Sequence, residues 1–156
     1  MTQWLNDKEQ AAWLRLAGVM LKLGPALDSQ LQRDSDLTHF DYLCLAMLSE
    51  HEGRTMRMSA LAARANASLS RLSHVIKKLE DRGWVERRPS PDSRRVTLVT
   101  LLDEGYAVLA KAAPGHVETV RSLVFDGLDP AEVAHLEKLC GHIVDRIEAS
   151  RLEATC

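Results

Sequence analysis

The chain has 156 residues, of which 46% are hydrophobic, and this length and composition suit one compact domain with enough apolar side chains for a core. No apolar stretch approaches the roughly 18 residues of a membrane span, and the first residues lack the pattern of a secretion signal, so we expect a protein that is neither exported nor embedded. The formal net charge of -2 excludes a chain that is strongly basic or acidic as a whole.

The cysteine and histidine patterns indicate a reducing compartment and no metal. Cys44, Cys140 and Cys156 are an odd number at wide spacing, without a C-x-x-C pair. This argues against a disulfide framework and against a cysteine-rich zinc site. The six histidines include no i, i+4 pair that would favour a metal site on a helix. We therefore expect a cytoplasmic protein with no metal and no cofactor.

The charges are unevenly distributed along the chain. The segment from Arg54 to Arg95 contains 11 Lys and Arg against 4 Asp and Glu, whereas the remainder contains 9 basic and 18 acidic residues. A locally basic segment in an otherwise acidic protein is expected where a protein contacts a polyanion. Charge alone does not separate a nucleic-acid site from a solvated surface, so the secondary structure of the segment has to decide.

Two helices are predicted before the basic segment. Apolar residues at helical intervals predict a long first helix from Trp4 to about Leu31, with Gly24-Pro25 as a kink or brief interruption. Thr38 followed by Asp41 has the spacing of a capping box, and the almost wholly apolar residues after it predict a short second helix in the core.

The basic segment itself predicts two short helices across a tight turn. Ser59 is predicted to cap the third helix, Asn66-Ala67 to break it, and Ser68 to cap the fourth. The fourth helix is amphipathic, with an apolar stripe of Leu69, Leu72, Ile76 and Leu79. Its other face carries short polar and basic side chains, which are Ser70, Arg71, Ser73, His74, Lys77 and Lys78.

A hairpin and two further helices are predicted after the fourth helix. Gly83 is placed to end that helix in a left-handed conformation, and WVERR and VTLVTLL read as two strands joined by the turn PSPDSR. Asp103 is predicted to cap the next helix, with Pro114-Gly115 as an interior bend. Asp129-Pro130-Ala131-Glu132 predicts the start of a last helix that continues through Ile147.

The fourth helix and the hairpin carry the chemistry of DNA recognition. Short serines let a helix backbone approach the major groove, while Arg, His and Lys side chains donate to bases and phosphates. Arginine on a thin loop can enter the narrow minor groove, and Arg94 and Arg95 lie at the hairpin tip. The arrangement is typical of a winged helix-turn-helix.

The order of elements and three stretches of sequence resemble the multiple antibiotic resistance regulator (MarR) family of bacterial transcription factors over nearly the full length. The stretches are LTHFDYLCLAMLSE, RMSALAARANASLSRLSHVIKKLEDRGWVERR and PDSRRVTLVTLLDEG. The run L-x-x-R-G-W-V before an arginine-tipped wing is fairly specific as a combination.

The resemblance implies a mainly α fold with a small β-hairpin wing. One domain, residues 1–156, would combine a winged helix-turn-helix region at 36–102 with a helical dimerisation region at 1–33 and 103–150. It implies a homodimer on a palindromic operator in double-stranded DNA, acting as a repressor that a small phenolic or carboxylic effector, or oxidation, releases. The DNA contacts carried over are Ser68, Ser70, Arg71, Ser73, His74 and Lys77 on the recognition helix and Arg94 and Arg95 on the wing.

The chain departs from the family pattern in the wing. The family often has an acid two residues before the wing arginine, but Ser93 stands at that place and the acid is Asp92. The strand after the wing usually ends Leu-Thr with threonine as the helix cap, whereas this chain has Leu101-Leu102 and relies on Asp103.

Several further readings concern regulation. Trp13, His39 and Tyr42 are candidates for an effector site, although each residue type is more often part of a core or a surface. A redox switch at Cys44 is an alternative that its apolar surroundings disfavour, because no cation nearby in the sequence lowers the thiol pKa. Another alternative to a DNA-binding regulator is a winged-helix module that binds an acidic protein.

The chain contains none of the common hydrolase, nucleotide-binding or zinc-protease motifs, so we expect no enzyme.

Overall fold

The computed structural model describes residues 1–153, with side chains described through residue 151. Helices and strands follow in the order α1 (Asp7–Ser35), α2 (His39–Glu50), β1 (Thr55–Arg57), α3 (Met58–Arg64), α4 (Leu69–Asp81), β2 (Val85–Ser90), β3 (Ser93–Leu101), α5 (Asp103–Val120) and α6 (Pro130–Glu153). The predicted fold class, mainly α with a small β wing, is confirmed.

Helix α1 begins later and runs further than the sequence predicts. The Asn6 side chain accepts hydrogen bonds from the backbone N–H groups of Lys8 and Glu9, both at 3.0 Å, so the helix begins at Asp7 rather than near Trp4. Pro25 lies inside a continuous helix, and the predicted interruption there is wrong. Proline removes one backbone donor without ending the helix.

The caps of the next three helices confirm two predictions and correct one. Thr38 and Asp41 form the predicted capping box, with hydrogen bonds of 2.9 and 3.0 Å. Ser68 caps α4 by accepting from the Arg71 N–H at 3.1 Å. Ser59 is not the cap of α3, because β1 leads directly into that helix and Ser59 lies within it.

The wing is part of a three-stranded antiparallel sheet in the order β1-β3-β2. Gly83 has a positive φ of 75° and ends α4, and the Trp84 N–H donates to the Leu79 carbonyl at 3.1 Å, as predicted. Strands β2 and β3 extend into the predicted turn, which leaves only residues 91–92 between them. The short strand β1 was not predicted, and its Met56 pairs with Val99 of β3.

One apolar core joins the sheet to α1 through α5. The apolar residues that are at most 1% exposed lie in α1 to α4, in β2 and β3 and in the segment between α1 and α2. They are Leu31, Leu37, Cys44, Leu45, Leu48, Leu61, Leu72, Ile76, Leu79, Val85 and Val99. The apolar stripe of α4 contributes three of them, which fixes the opposite side of that helix toward solvent.

The chain divides into two compact units, the first ending at Val117 and the second beginning at Glu118. Asp103 is the first residue of α5 rather than its cap, and the helix is not interrupted at Pro114-Gly115. In the second unit, π-helical hydrogen bonding at Arg121–Phe125 precedes α6. Asp129 caps α6 as predicted, accepting from the Glu132 N–H at 2.8 Å, and the helix continues past Ile147.

None of the helices in the described part of the chain combines the length and the apolar character that a membrane span requires.

Candidate nucleic-acid interface

Helices α3 and α4 form the predicted helix-turn-helix. The turn between them closes with hydrogen bonds from the N–H of Ala65 to the Leu61 carbonyl and from the N–H of Ala67 to the Ala62 carbonyl, both at 2.9 Å. Asn66 has a positive φ of 52°, which reverses the chain direction between the helices. This turn places the polar N-terminal end of α4 at the surface.

The structure exposes most of the predicted DNA contacts. Because Leu72, Ile76 and Leu79 are fully buried, the polar face of α4 points into solvent and presents Ser68, Ser70, Arg71, His74 and Lys77. Ser73 is only partly exposed, and its hydroxyl lies 3.4 Å from the Arg87 guanidinium of β2. Ser73 therefore faces the wing more than the other predicted contacts on α4 do.

Ion pairs neutralise most of the basic segment. Seven of its eleven cationic side chains lie within 4 Å of a carboxylate, and they are Arg54, Arg64, Lys77, Lys78, Arg82, Arg87 and Arg88. Among the described residues, no carboxylate pairs with the other four, which are Arg57, Arg71, Arg94 and Arg95. Three of these four are predicted DNA contacts. Arg57, exposed where β1 meets α3, is a candidate that sequence reasoning missed.

The wing tip is held by hydroxyl groups rather than by an internal ion pair. The Ser90 and Ser93 hydroxyls each accept a backbone N–H at 3.3 Å, from Asp92 and Arg95 respectively. Within the described part of the chain, Asp92 has no cationic partner. Arg94 and Arg95 are exposed at the start of β3. Their guanidinium groups are therefore available to an external anion.

The base of the wing is joined to α4 by Glu80 and Arg87. One oxygen of Glu80 accepts the backbone N–H of Arg87 at 2.8 Å, and the other lies 3.1 Å from its guanidinium. These contacts lower the pKa of Glu80, chiefly through the backbone hydrogen bond, although partial desolvation opposes them. The arrangement ties the end of the recognition helix to β2.

Helix α4 is also joined to the first turn of α2. Lys78, on the polar side of α4, reaches the Asp41 carboxylate at 2.6 Å, and Asp41 is 1% exposed. The Arg71 guanidinium lies 4.3 Å from the centre of the Phe40 ring. The sequence gives no hint of either contact, because the partners are more than thirty residues apart.

The structure brings two of the three candidate effector residues together. The Tyr42 and His39 rings lie 4.2 and 5.6 Å from the ring of His116 on α5. Trp13 lies elsewhere, exposed in a groove on the first turns of α1 that Trp4, Leu5, Gln10 and Leu14 also line. His116 is an addition that sequence reasoning missed.

Buried polar atoms without partners accompany this cluster. His116 is 8% and Gln30 4% exposed, yet Nδ1 of His116 and Oε1 of Gln30 find no hydrogen-bond partner among the described residues. Burial lowers the pKa of His39 and of His116, with the Asp28 carboxylate partly opposing the effect at His39. Both imidazoles are therefore held toward the neutral form, in which each ring has one donor and one acceptor.

Comparison with known proteins decides the family. A sequence model of the MarR family matches residues 37–97. The crystal structure of Sco3205, a MarR family transcriptional regulator from Streptomyces coelicolor solved in complex with DNA, is 39% identical. The similarity covers 93% of this chain and 91% of that one, with a TM-score of 0.89. The chain belongs to the MarR family.

Two further relatives agree with this assignment. AbsC, a MarR family regulator from the same organism, is 38% identical over 95% of this chain and 99% of its own, with a TM-score of 0.89. The transcriptional repressor MprA of Escherichia coli is 25% identical over 69% of this chain. That alignment spans 60% of MprA, so the chain covers less than two thirds of this curated relative.

The predicted resemblance is thus confirmed, and the protein is a MarR family transcriptional regulator with a winged helix-turn-helix. Regulators of this kind are generally not enzymes. The individual DNA and effector residues stay predictions, because their assignment comes from position and exposure.

The surroundings of Cys44 in this MarR family protein disfavour redox chemistry at its thiol. Cys44 is fully buried, and burial, with the nearby Asp41 carboxylate, raises its pKa to about 12. Arg71 and Lys78 oppose this shift but do not outweigh burial. Cys140 is exposed, and Cys156 lies outside the described residues.

Proposed function

We propose that the protein is a dimeric, sequence-specific repressor that binds a palindromic operator through α4 and the wing. The observation that carries this proposal is the distribution of unpaired cations. Arg71 on the recognition helix and Arg94 and Arg95 on the wing are exposed and lack an acidic partner among the described residues, while most other cations near them are neutralised. Phosphates and base acceptors are the natural partners of such guanidinium groups.

In this proposal α4 contacts the major groove and the wing contacts the minor groove. Ser68, Ser70, Arg71 and His74 are exposed on α4, where a short polar surface suits the major groove. The exposed Lys77 pairs with Asp81 one turn on at 3.1 Å, a weak solvated contact that a DNA phosphate can replace. Arg94 and Arg95 extend from a thin hairpin, which suits the negative potential of the minor groove.

The proposed dimerisation is supported by apolar side chains that nothing within their own unit covers. In α1 and the residues before it, Trp4, Leu5, Trp13, Leu14, Val19, Met20 and Leu21 are more than half exposed. In α6, Leu139, Ile143, Val144 and Ile147 are 42 to 59% exposed. A second copy of the chain would bury both sets, so we place the dimerisation region at residues 1–33 and 103–150.

The dimer has a direct test in solution. Sedimentation equilibrium at micromolar concentration should give twice the chain mass. Replacing Ile143 and Ile147 with Asp should shift the protein toward monomer, whereas the same change at the exposed polar Glu137 and Glu148 should not. A monomer at micromolar concentration would exclude the proposed arrangement of two recognition helices.

Two relatives and the cluster around His116 support repression and its release. MprA is a transcriptional repressor, and Sco3205 was solved with DNA, so DNA-bound repression is the natural proposal for this chain in the bacterial cytoplasm. We place the effector near His39, Tyr42 and His116, where unpartnered polar atoms suit a small phenolic or carboxylic compound. Half-sites lie roughly 34 Å apart, so a shift of a few ångströms in α4 would weaken binding. Trp13 stays a candidate for a contact contributed across the dimer.

The first experiment is selection of bound duplexes from a random DNA pool at about 0.15 M salt, where non-specific attraction is partly screened. An enriched inverted repeat with half-sites one helical turn apart would support a dimeric reader of sequence. Binding that has no preference and disappears as salt rises would favour the protein-interaction alternative. Phenolic and carboxylic acids are then titrated into the complex of the protein with the selected operator. If none of them releases the protein, the proposed effector response is excluded.

A further inference from the structure

The first turn of α2 contacts the recognition helix at two points two helical turns apart. Phe40 lies under the Arg71 guanidinium, and Asp41 holds the Lys78 ammonium. Arg71 and Lys78 are seven residues apart, so they project from nearly the same side of α4. Two adjacent residues of α2 therefore determine how one side of α4 is presented.

Arg71 has the features of a base-reading side chain. It lies in the first turn of α4, where its backbone N–H donates to Ser68, and it is exposed. No carboxylate of the described residues pairs with its guanidinium. A guanidinium that rests over an aromatic face keeps the donors at its edge free for a bidentate contact. The bidentate contact of arginine with guanine requires these donors in a defined orientation.

The Asp41 carboxylate keeps the ring and the helix together. One of its oxygens accepts both the Thr38 N–H at 2.9 Å and the Lys78 ammonium at 2.6 Å. Asp41 is 1% exposed and belongs to the same turn as Phe40, which is partly buried against the core. Since this turn is capped and anchored, the ring has little freedom to move away from Arg71.

We propose that Phe40 is a specificity-determining positioning residue, whose ring orients the Arg71 guanidinium for reading one base pair of the operator. This rests on the proposed function, because it requires that α4 reads DNA. The ring limits the rotamers available to a long side chain, so less conformational entropy is lost when the guanidinium contacts its base. Phe40 itself has no need to touch DNA.

The test compares variants against a panel of operators that each carry one changed base pair. Arg71→Ala should abolish discrimination at one position in each half-site. Phe40→Leu should weaken discrimination at that same position by about three- to tenfold, the range expected from losing a cation–π contact, and should leave the other positions unchanged. Phe40→Tyr keeps an aromatic face and should retain discrimination.

Tyr106→Leu is the matched control. The Tyr106 ring lies 3.9 Å from the Arg54 guanidinium, so this variant removes the same kind of contact away from α4. It should leave the operator preference unchanged. Thermal unfolding of each variant shows whether a change in binding accompanies a loss of stability. Should Phe40→Leu not fold at the assay temperature, Phe40→Met, whose flexible side chain adapts to the space that the ring leaves, serves in its place.

The outcomes separate this proposal from the one on which it rests. Unchanged discrimination in Phe40→Leu, with discrimination lost in Arg71→Ala, would overturn the positioning role and leave the DNA-binding function standing. An equal loss at every position, together with reduced stability, would show that the ring only supports the fold and would also overturn it. A wild-type protein without any base preference would remove the proposed function itself.

Discussion

Gly105 of α5 lies so close to the backbone of Trp84 that any added Cβ would force the chain to shift. A Cβ at Gly105 would lie 2.9 Å from the Trp84 carbonyl carbon and nearer still to its oxygen. The same oxygen accepts the Leu102 N–H at 2.9 Å. The start of α5 is therefore fixed to the chain segment that leads from α4 into the wing.

We predict that Gly105→Ala destabilises the protein by about 1–3 kcal/mol, since the added methyl group meets backbone that cannot rotate away. Urea unfolding followed by circular dichroism measures the change. Gly115→Ala on the same helix is the control, because its Cβ would lie 3.6 Å from the Gln30 amide nitrogen, an ordinary contact. A neutral Gly105→Ala would mean that α5 shifts away at little cost.

Acid should weaken the fold through the partly buried His39 and the buried His116. Burial lowers the pKa of His39 and His116 from 6.5, so the unfolded chain binds protons at these sites before the folded chain does. The free energy of unfolding should therefore decrease as pH falls through about 6.5, until the pH lies below the lowered pKa values. His116→Phe keeps a ring against Tyr42 and should reduce this dependence. Parallel pH profiles for the wild type and His116→Phe in urea titrations would contradict the assignment.

The cysteines should differ sharply in reactivity. With its pKa raised to about 12 and its side chain fully buried, Cys44 should resist iodoacetamide and peroxide in the native state. Cys140 is exposed on a single chain but lies one helical turn from Ile143 and Val144, so it should react in the monomeric variant that carries Asp at positions 143 and 147. Mass spectrometry of peptides after brief labelling distinguishes the sites. Peroxide should leave operator binding by Cys140→Ser unchanged, and loss of binding together with oxidation at Cys44 would revive the redox alternative.

The wing and the recognition helix should give separable binding defects. Arg95→Ala should weaken binding to every sequence and reduce the slope of log K against log salt by about one unit per chain, because one cation that neutralises DNA charge is lost. Ser70→Ala should instead alter which bases are preferred. Fluorescence anisotropy at several salt concentrations, repeated on operator variants, measures both quantities. The division of roles would be wrong if the two variants behaved alike.

Short-range signals in the sequence predicted most of the fold. The caps at Thr38, Ser68 and Asp129 and the left-handed Gly83 each depend on residues within one turn, so the pattern alone locates them. Strand β1 was missed because it has only three residues, and its partner strand lies some forty residues further on. Nothing local marks so short a strand.

The candidate site was predictable in outline but not in its charge balance. The sequence shows a cluster of cations on α4 and the wing, yet it does not show which of them an acid neutralises. Lys78 resembles Arg71 in the helical pattern, but the fold turns Lys78 toward Asp41 and leaves Arg71 without an acidic partner among the described residues. The same limit hid His116, whose neighbours His39 and Tyr42 come from a helix far away in sequence.

The Asp41 carboxylate binds two groups, so substitutions at three positions affect one another. Substitution of Asp41 alone would leave the Lys78 ammonium and the Thr38 N–H without this acceptor, whereas substitution of Lys78 alone would leave the buried Asp41 charge uncompensated. Single steps away from this arrangement pass through less stable intermediates. We therefore expect relatives to change the acid and the lysine together, so that the pair co-varies across the family rather than drifting independently.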